Sequence, residues 1–177
     1  FDPRTREWYK IAESTGKPSF SPLYKHFVRD DLAVSAAMPV FNDSGQLQGV
    51  LGTHMLVSDI GDFLSEAVDI YNGYGFIVEA DTEEIIANSL GLDNYEVGLD
   101  GTLRRYKISD ISNSTIVQIH KNYLENRVSD NTGFSVKAEG ETLHVNVVQF
   151  QRLGLNWLIV SAIPESLLMK DIYKIGR

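Results

Sequence analysis

The 177-residue sequence predicts an α+β protein, with antiparallel sheets flanked by helices and arranged as two consecutive modules. Three observations predict it. Runs of apolar and β-branched residues come in pairs joined by short polar turns, which makes hairpins rather than parallel βαβ units. Segments with helical periodicity separate groups of strands instead of alternating with each strand. The order helix, hairpin, helix, three strands, helix spans residues 58–177, and residues 1–57 repeat part of it.

Asp2 and Pro3 suit a helix start, and Trp8, Ile11 and Ala12 fall at helical spacing from Arg4 to about Ser14 before Gly16-Lys17-Pro18 stops the run. Residues 19–27 read as irregular chain or a short edge strand, given Pro22. Residues 32–41 and 47–57 read as two long strands across the turn Asn42-Asp43-Ser44-Gly45, with Gly49 and Gly52 marking a bulge or a close backbone approach. Ser58 opens a helix with Ile60, Phe63, Leu64 and Val68 on one face. A shorter hairpin follows over 75–80 and 84–88, then a polar stretch through Leu103. Residues 109–127 read as mainly helical, with Ile111, Ile116, Ile119 and Leu124 as buried positions. Strands at 134–138, 142–150 and 155–163 come next, and Leu155, Trp157 and Ile159 share a face expected to be buried. Pro164-Glu165-Ser166 starts a terminal helix containing Leu167, Leu168, Ile172 and Ile175. Residues 58–177 thus have the element order of a PAS-like domain.

Composition narrows the function. The net charge of −8 argues against nucleic acid as a partner, because phosphate binding needs a positive field. No run approaches about 18 consecutive apolar residues, so no segment here reads as a membrane-spanning helix. A first residue of Phe1 rather than Met reads as a portion of a longer protein. Cysteine is absent, which removes disulfides, thiolate nucleophiles and zinc–sulfur sites. The histidines at 26, 54, 120 and 144 lack HExxH spacing. His26 and His54 would form a metal site only if strands joined them to a carboxylate, and metal-free pocket or surface histidines are the more ordinary outcome. Gly73-Tyr74-Gly75 lacks the third glycine of a dinucleotide loop, and no GxSxG elbow occurs. The chain is therefore read as no enzyme, with no catalytic residue, no metal and no cofactor.

The N-terminal run FDPRTREWYK places Arg4, Arg6, Trp8 and Tyr9 together. A guanidinium beside aromatic faces suits a carboxylate or other anion, through paired hydrogen bonds and stacking. The plainer alternative is a capped surface helix whose Trp8 packs into the core.

These residues also carry a resemblance. Asp2–Lys10, Gly16-Lys17-Pro18, Ser21-Pro22-Leu23-Tyr24, Ser35–Val40, Gly49–Gly52 and the helix at Asp59–Leu64 resemble the membrane-distal half of double Cache sensors. Gly73–Val78 and the ending from Gly154 through Trp157 to Ser166 resemble the membrane-proximal half. The family consists of extracytoplasmic sensor domains of bacterial membrane receptors.

The resemblance implies a distal module over 1–57, a proximal module over 58–164, and a helix over 165–177 leading toward a transmembrane segment. Family members carry a long helix and early strands before this motif, which leaves the distal sheet short of strands here. The implied partners are a small-molecule ligand and the flanking transmembrane helices of the parent chain, with a homodimer as one assembly. Downstream of such sensors stand histidine kinase, diguanylate cyclase or chemoreceptor modules. The implied ligand site lies in the distal module. Arg6 and Trp8 match the positions that grip a carboxylate, Tyr9 and Tyr24 line the pocket, and Ser35 on its strand joins them. Phe1 stands where a tyrosine is expected, and His26 and His54 stand where acids that hold an ammonium are expected. The implied ligand is then a small carboxylate or other small anion, with α-amino acids disfavoured. The rival reading is a soluble solute-binding protein for transport, with no signalling output.

Overall fold

The computed structural model describes residues 2–126 and 133–169. The chain forms two compact units: Phe1–Asp59 with Gln151–Asn156, and Ile60–Phe150 with Trp157–Arg177. The division falls two residues later than the one read from sequence, and a short piece near residue 153 belongs with the first unit.

In the first unit the expected single helix is two elements. The Asp2 carboxylate accepts the Arg4 amide at 3.0 Å and caps a 3-10 turn over Pro3–Thr5. Arg6 then sits extended (φ −82, ψ 147) and is the N-cap of helix α1, Glu7–Thr15. Asp2 therefore caps the turn and not α1. Gly16 closes α1 in the left-handed conformation (φ 63), its amide donating to the Ala12 carbonyl at 2.9 Å.

Strands β1 (Ser19–Phe20), β2 (Tyr24–Lys25), β3 (Leu32–Phe41) and β4 (Leu47–Leu56) follow. β3 is the centre of the sheet. β1 and β2 pair antiparallel with its two halves on one side, and β4 pairs antiparallel along the other. Pro22 separates β1 from β2, consistent with an edge. The register shifts between Val40 and Phe41, opposite the Gly49 region, which is the irregularity the glycine marked. Cross-strand partners share a face. Ala33/Leu56, Ser35/His54 and Ala37/Gly52 therefore line one face, and Val34/Met55, Ala36/Thr53 and Met38/Leu51 the other. α1 covers the first face: a Cβ added at Gly52 would stand 2.8 and 2.9 Å from atoms of the Trp8 ring.

Helix α2 runs over Val57–Asp69. Its start is tied to the preceding chain by Asp31, whose carboxylate accepts the Ser58 amide at 3.2 Å and the Ser58 hydroxyl at 2.6 Å. Ile60, Leu64 and Val68 are buried, whereas Phe63 is 69% exposed. The buried stripe follows the i, i+4 row, and Phe63 falls outside it.

The second unit contains the expected five-stranded antiparallel sheet, from β5 (Tyr74–Glu79), β6 (Ile85–Asn88), β9 (Gly133–Ala138), β10 (Glu141–Arg152) and β11 (Leu155–Pro164). Their order is β6-β5-β11-β10-β9. Two short strands not anticipated, β7 (Tyr95–Val97) and β8 (Leu103–Arg105), form a separate hairpin within the stretch read as polar loop. The segment read as one helix from 109 is a 3-10 turn, Ile108–Asp110, and then helix α3, Ser114–Asn126. Its inner side supplies Ile116 and Ile119 to a core with Phe76, Val78, Leu143, Val145 and Val160, while Leu124 is 42% exposed and outside it. Leu155 and Trp157 are buried as expected, and Ile159 is half-buried. Residues 165–169 are helical. Phe1, Ile172 and Ile175 lie outside the described residues.

Candidate functional site

The implied ligand residues meet on the α1-covered face of the first sheet. Tyr24, paired with Ala33, turns its hydroxyl to the Ser35 Oγ at 2.7 Å. Ser35 is buried, and its amide donates to the Ser21 Oγ at 3.0 Å, which fixes the strand against the residue before Pro22. Ser35 and His54 are cross-strand partners. The His54 ring lies 5.0 Å from the His26 ring, and His26 stacks on Phe27 at 4.8 Å. Phe27 in turn lies 5.6 Å beneath the Arg6 guanidinium. Trp8 covers Gly52, two residues from His54 on the same face, and Tyr9 meets Trp8 edge-on at 5.8 Å. Arg6, Phe27, His26, His54, Ser35 and Tyr24 thus form a continuous series, with Trp8 and Tyr9 beside it.

Burial differs along the series. Arg6 and His54 are exposed, Trp8, Tyr9 and Tyr24 are half-buried, and His26 is buried. His26 is held from two directions: its amide donates to the Asp31 carbonyl at 2.8 Å, and its Nδ1 accepts the amides of Val28 and Arg29 at 3.2 and 3.0 Å. An acceptor Nδ1 places the imidazole proton on Nε2. That Nε2 is buried with no hydrogen-bond partner among the described residues.

The acids that stand nearest in sequence are engaged elsewhere. Asp30 accepts from the Lys25 ammonium at 2.7 Å. Asp31 accepts from the Leu32 amide and from Ser58, at the start of α2. Among the described residues there is no group of three or more His, Asp or Glu side chains placed to hold a metal ion.

Two features escaped the sequence reading. Phe27, 59% exposed, sits in the middle of the series, yet nothing in the irregular SFSPLYKHF run singles it out. On the opposite face of the same sheet lies a groove of about 560 Å³, lined by Phe20, Ala36, Met38, Leu51, Thr53 and Leu153 among others. The strand alternation of β3 and β4 was its only signal, since Met38 and Leu51 occupy the face away from α1.

Residues 1–62 match the family model for the first PDC sensor domain of methyl-accepting chemotaxis protein-like proteins. The ligand-binding domain of the Pseudomonas fluorescens chemoreceptor CtaA, solved with L-alanine, is 23% identical, with a TM-score of 0.55, covering 96% of this chain and 64% of that one. That of the Pseudomonas aeruginosa amino acid chemoreceptor PctB, solved with L-Arg, is 22% identical, with a TM-score of 0.55, 99% of this chain and 61% of that one being covered. The Campylobacter jejuni chemoreceptor Tlp3, solved with 4-methylisoleucine, is 17% identical, with a TM-score of 0.57 and coverages of 95% and 56%. The chain thus spans about three fifths of the length of these solved domains. Residues 1–62 are similar in sequence to a chemotaxis-receptor-type PDC sensor domain, and the chain has the Cache-type α+β fold of chemoreceptor ligand-binding domains.

Proposed function

We propose that this chain is an extracytoplasmic ligand-sensing part of a transmembrane receptor, and that its first unit binds a small carboxylate that lacks an amine. The observation that carries the reading is chemical: the site offers the Arg6 cation and the His26 Nε2–H donor, while Asp30 and Asp31 are bound to Lys25 and Ser58. Arg6 can give a carboxylate two parallel hydrogen bonds. Trp8 and Phe27 supply apolar walls, and the Tyr24–Ser35 hydroxyl pair supplies an adaptable polar edge. An ammonium brought into the same site would need a carboxylate or several acceptors, because a desolvated charge without a partner is costly. His26 and His54 provide neither. The solved domains with L-alanine and L-Arg support a small-molecule partner for the chain, and the carboxylate is the group that those ligands share with the one proposed here. Signalling follows if the ligand favours one arrangement of the receptor over another, since binding without such preference shifts nothing.

The test is a calorimetric panel of matched pairs, propionate against alanine and succinate against aspartate. The amine-free member of each pair is expected to bind more tightly. Arg6→Ala is expected to weaken binding by about tenfold to a hundredfold, the range for charge-assisted hydrogen bonds. Arg4→Ala should leave it unchanged, because Arg4 already pairs with Asp2 at 2.8 Å. Tighter binding of alanine and aspartate would overturn the reading.

A further inference from the structure

We infer that His26 is a specificity-determining hydrogen-bond donor, and that the ligand presents a second oxygen acceptor beside its carboxylate, as a 2-oxo acid does. The inference rests on the carboxylate reading and narrows it.

Two backbone amides, from Val28 and Arg29, point at Nδ1 of His26, so that nitrogen is an acceptor only. The ring cannot flip to present the other nitrogen without losing both bonds. Its one N–H is therefore on Nε2, across the ring from the loop that anchors it. His26 is 9% exposed, and this donor has no acceptor among the described residues. Buried donors are satisfied in the great majority of cases, and one left unpaired costs a fold more than a typical hydrogen bond returns. The same loop invests two amide bonds, one carbonyl bond to the His26 amide and a stacked Phe27 in holding the ring in place. Such anchoring fixes the donor on a ring that lies 5.0 Å from His54 and stacks on Phe27, the ring beneath Arg6.

A fixed donor discriminates by the polarity of what it meets. A 2-oxo group offers only lone pairs and a 2-hydroxyl offers a lone pair as well as a proton. A 2-ammonium group has no lone pair and would set N–H against N–H. An unsubstituted carbon leaves the donor as it is now. The expected order of affinity is pyruvate, lactate, propionate, alanine.

The experiment measures Kd for these four compounds with the purified chain and three variants. In the unaltered chain pyruvate is expected to bind on the order of tenfold more tightly than propionate, the value of one satisfied buried donor. His26→Asn keeps an acceptor where Nδ1 stands but does not reach the Nε2 position. It should bring pyruvate to the level of propionate and leave propionate within about twofold. His26→Gln reaches the Nε2 position with an amide donor and should restore part of the preference. Should either variant fail to fold, the 15N–1H signal of His26 Nε2 in the unaltered chain decides. Pyruvate is expected to move its proton downfield and propionate to leave it in place. Equal affinity for pyruvate and propionate, a preference that survives His26→Asn, or an unmoved Nε2 signal would overturn the inference. If carboxylate binding still depends on Arg6 in that event, the broader reading stands. If none of the four binds, or Arg6→Ala binds them all normally, both fall.

Discussion

Gly52 has no side chain because the Trp8 ring occupies the place where one would go. With Cβ contacts at 2.8 and 2.9 Å, Gly52→Ala must push the indole away from β4. The cost expected for such overpacking is about 1–3 kcal/mol, measured by chemical denaturation. Because Trp8 covers Gly52 on the face that also carries His54, the same variant should also weaken the carboxylate binding proposed above. A variant as stable and as tight as the parent would show that Trp8 moves freely. The residue scale is also where the sequence was least and most informative. Arg6, Trp8 and Tyr24 were legible because a resemblance named them, and Gly52 because a glycine within a strand signals close approach. Phe27 and the two amides on His26 Nδ1 were not legible. They depend on how an irregular loop of residues 26–31 folds back on itself, and no periodicity records that.

Helix α3 shows what an element adds. His120 lies on its inner side, 3% exposed, and neither ring nitrogen has a partner among the described residues. Burial pushes its pKa below the ordinary 6.5, outweighing the upward pull of the Glu83 carboxylate. In the unfolded chain the ring takes up a proton near the ordinary value, while in the folded chain it does so only at lower pH. The stability that depends on a neutral His120 is therefore present above about pH 6.5 and lost as pH falls below it. His120→Leu should flatten this dependence in urea melts between pH 7.5 and pH 5.5. It should also raise stability at pH 7.5 by about 1 kcal/mol, since an unsatisfied polar ring leaves the core. An unchanged pH slope would show that another group sets it. Long elements were readable: β3 and β4 announced themselves by two apolar runs about an Asn-Asp-Ser-Gly turn, and β10 by strict alternation. β7 and β8 were not. They are three residues each, and long-range charges help to seat them, Arg105 reaching Glu84 at 2.8 Å and Glu79 at 3.6 Å. Glu79 itself is held above its ordinary range by burial, with Arg105 pulling the other way. Such pairings are invisible to local pattern.

At the scale of the whole molecule the two units are not consecutive stretches of chain. Residues 151–156 join the first unit although the strands on either side belong to the second. The Phe20 amide donates to the Leu153 carbonyl at 2.8 Å, and Gly154 (φ 90) places its Cα so near the Phe20 carbonyl that an added Cβ would stand 2.0 Å from that oxygen. Gly154→Ala meets both a disfavoured backbone angle and a backbone clash, and a loss of more than about 3 kcal/mol is expected. Hydrogen exchange should locate the loss: amides of β1 and β3 lose protection first, while those around Phe76 and Val145 keep theirs. Uniform loss across both units would sink this assignment. The simple domain boundary read from sequence missed the exchange because a turn of Gly and Leu gives no hint of which body it joins.

This crossing has a consequence for how the protein is made. A chain emerges from the ribosome from its N-terminus, and domains generally fold in that order. Here the first unit cannot complete β1's outer bond until residue 153 has been synthesised, by which time nearly all of the second unit has also appeared. The first unit is thus the part that waits, and contacts of such sequence separation are slow to form. Stalled nascent chains ending at residue 140 should leave residues 1–59 open to protease, and chains carried past residue 156 with room to clear the ribosomal tunnel should not.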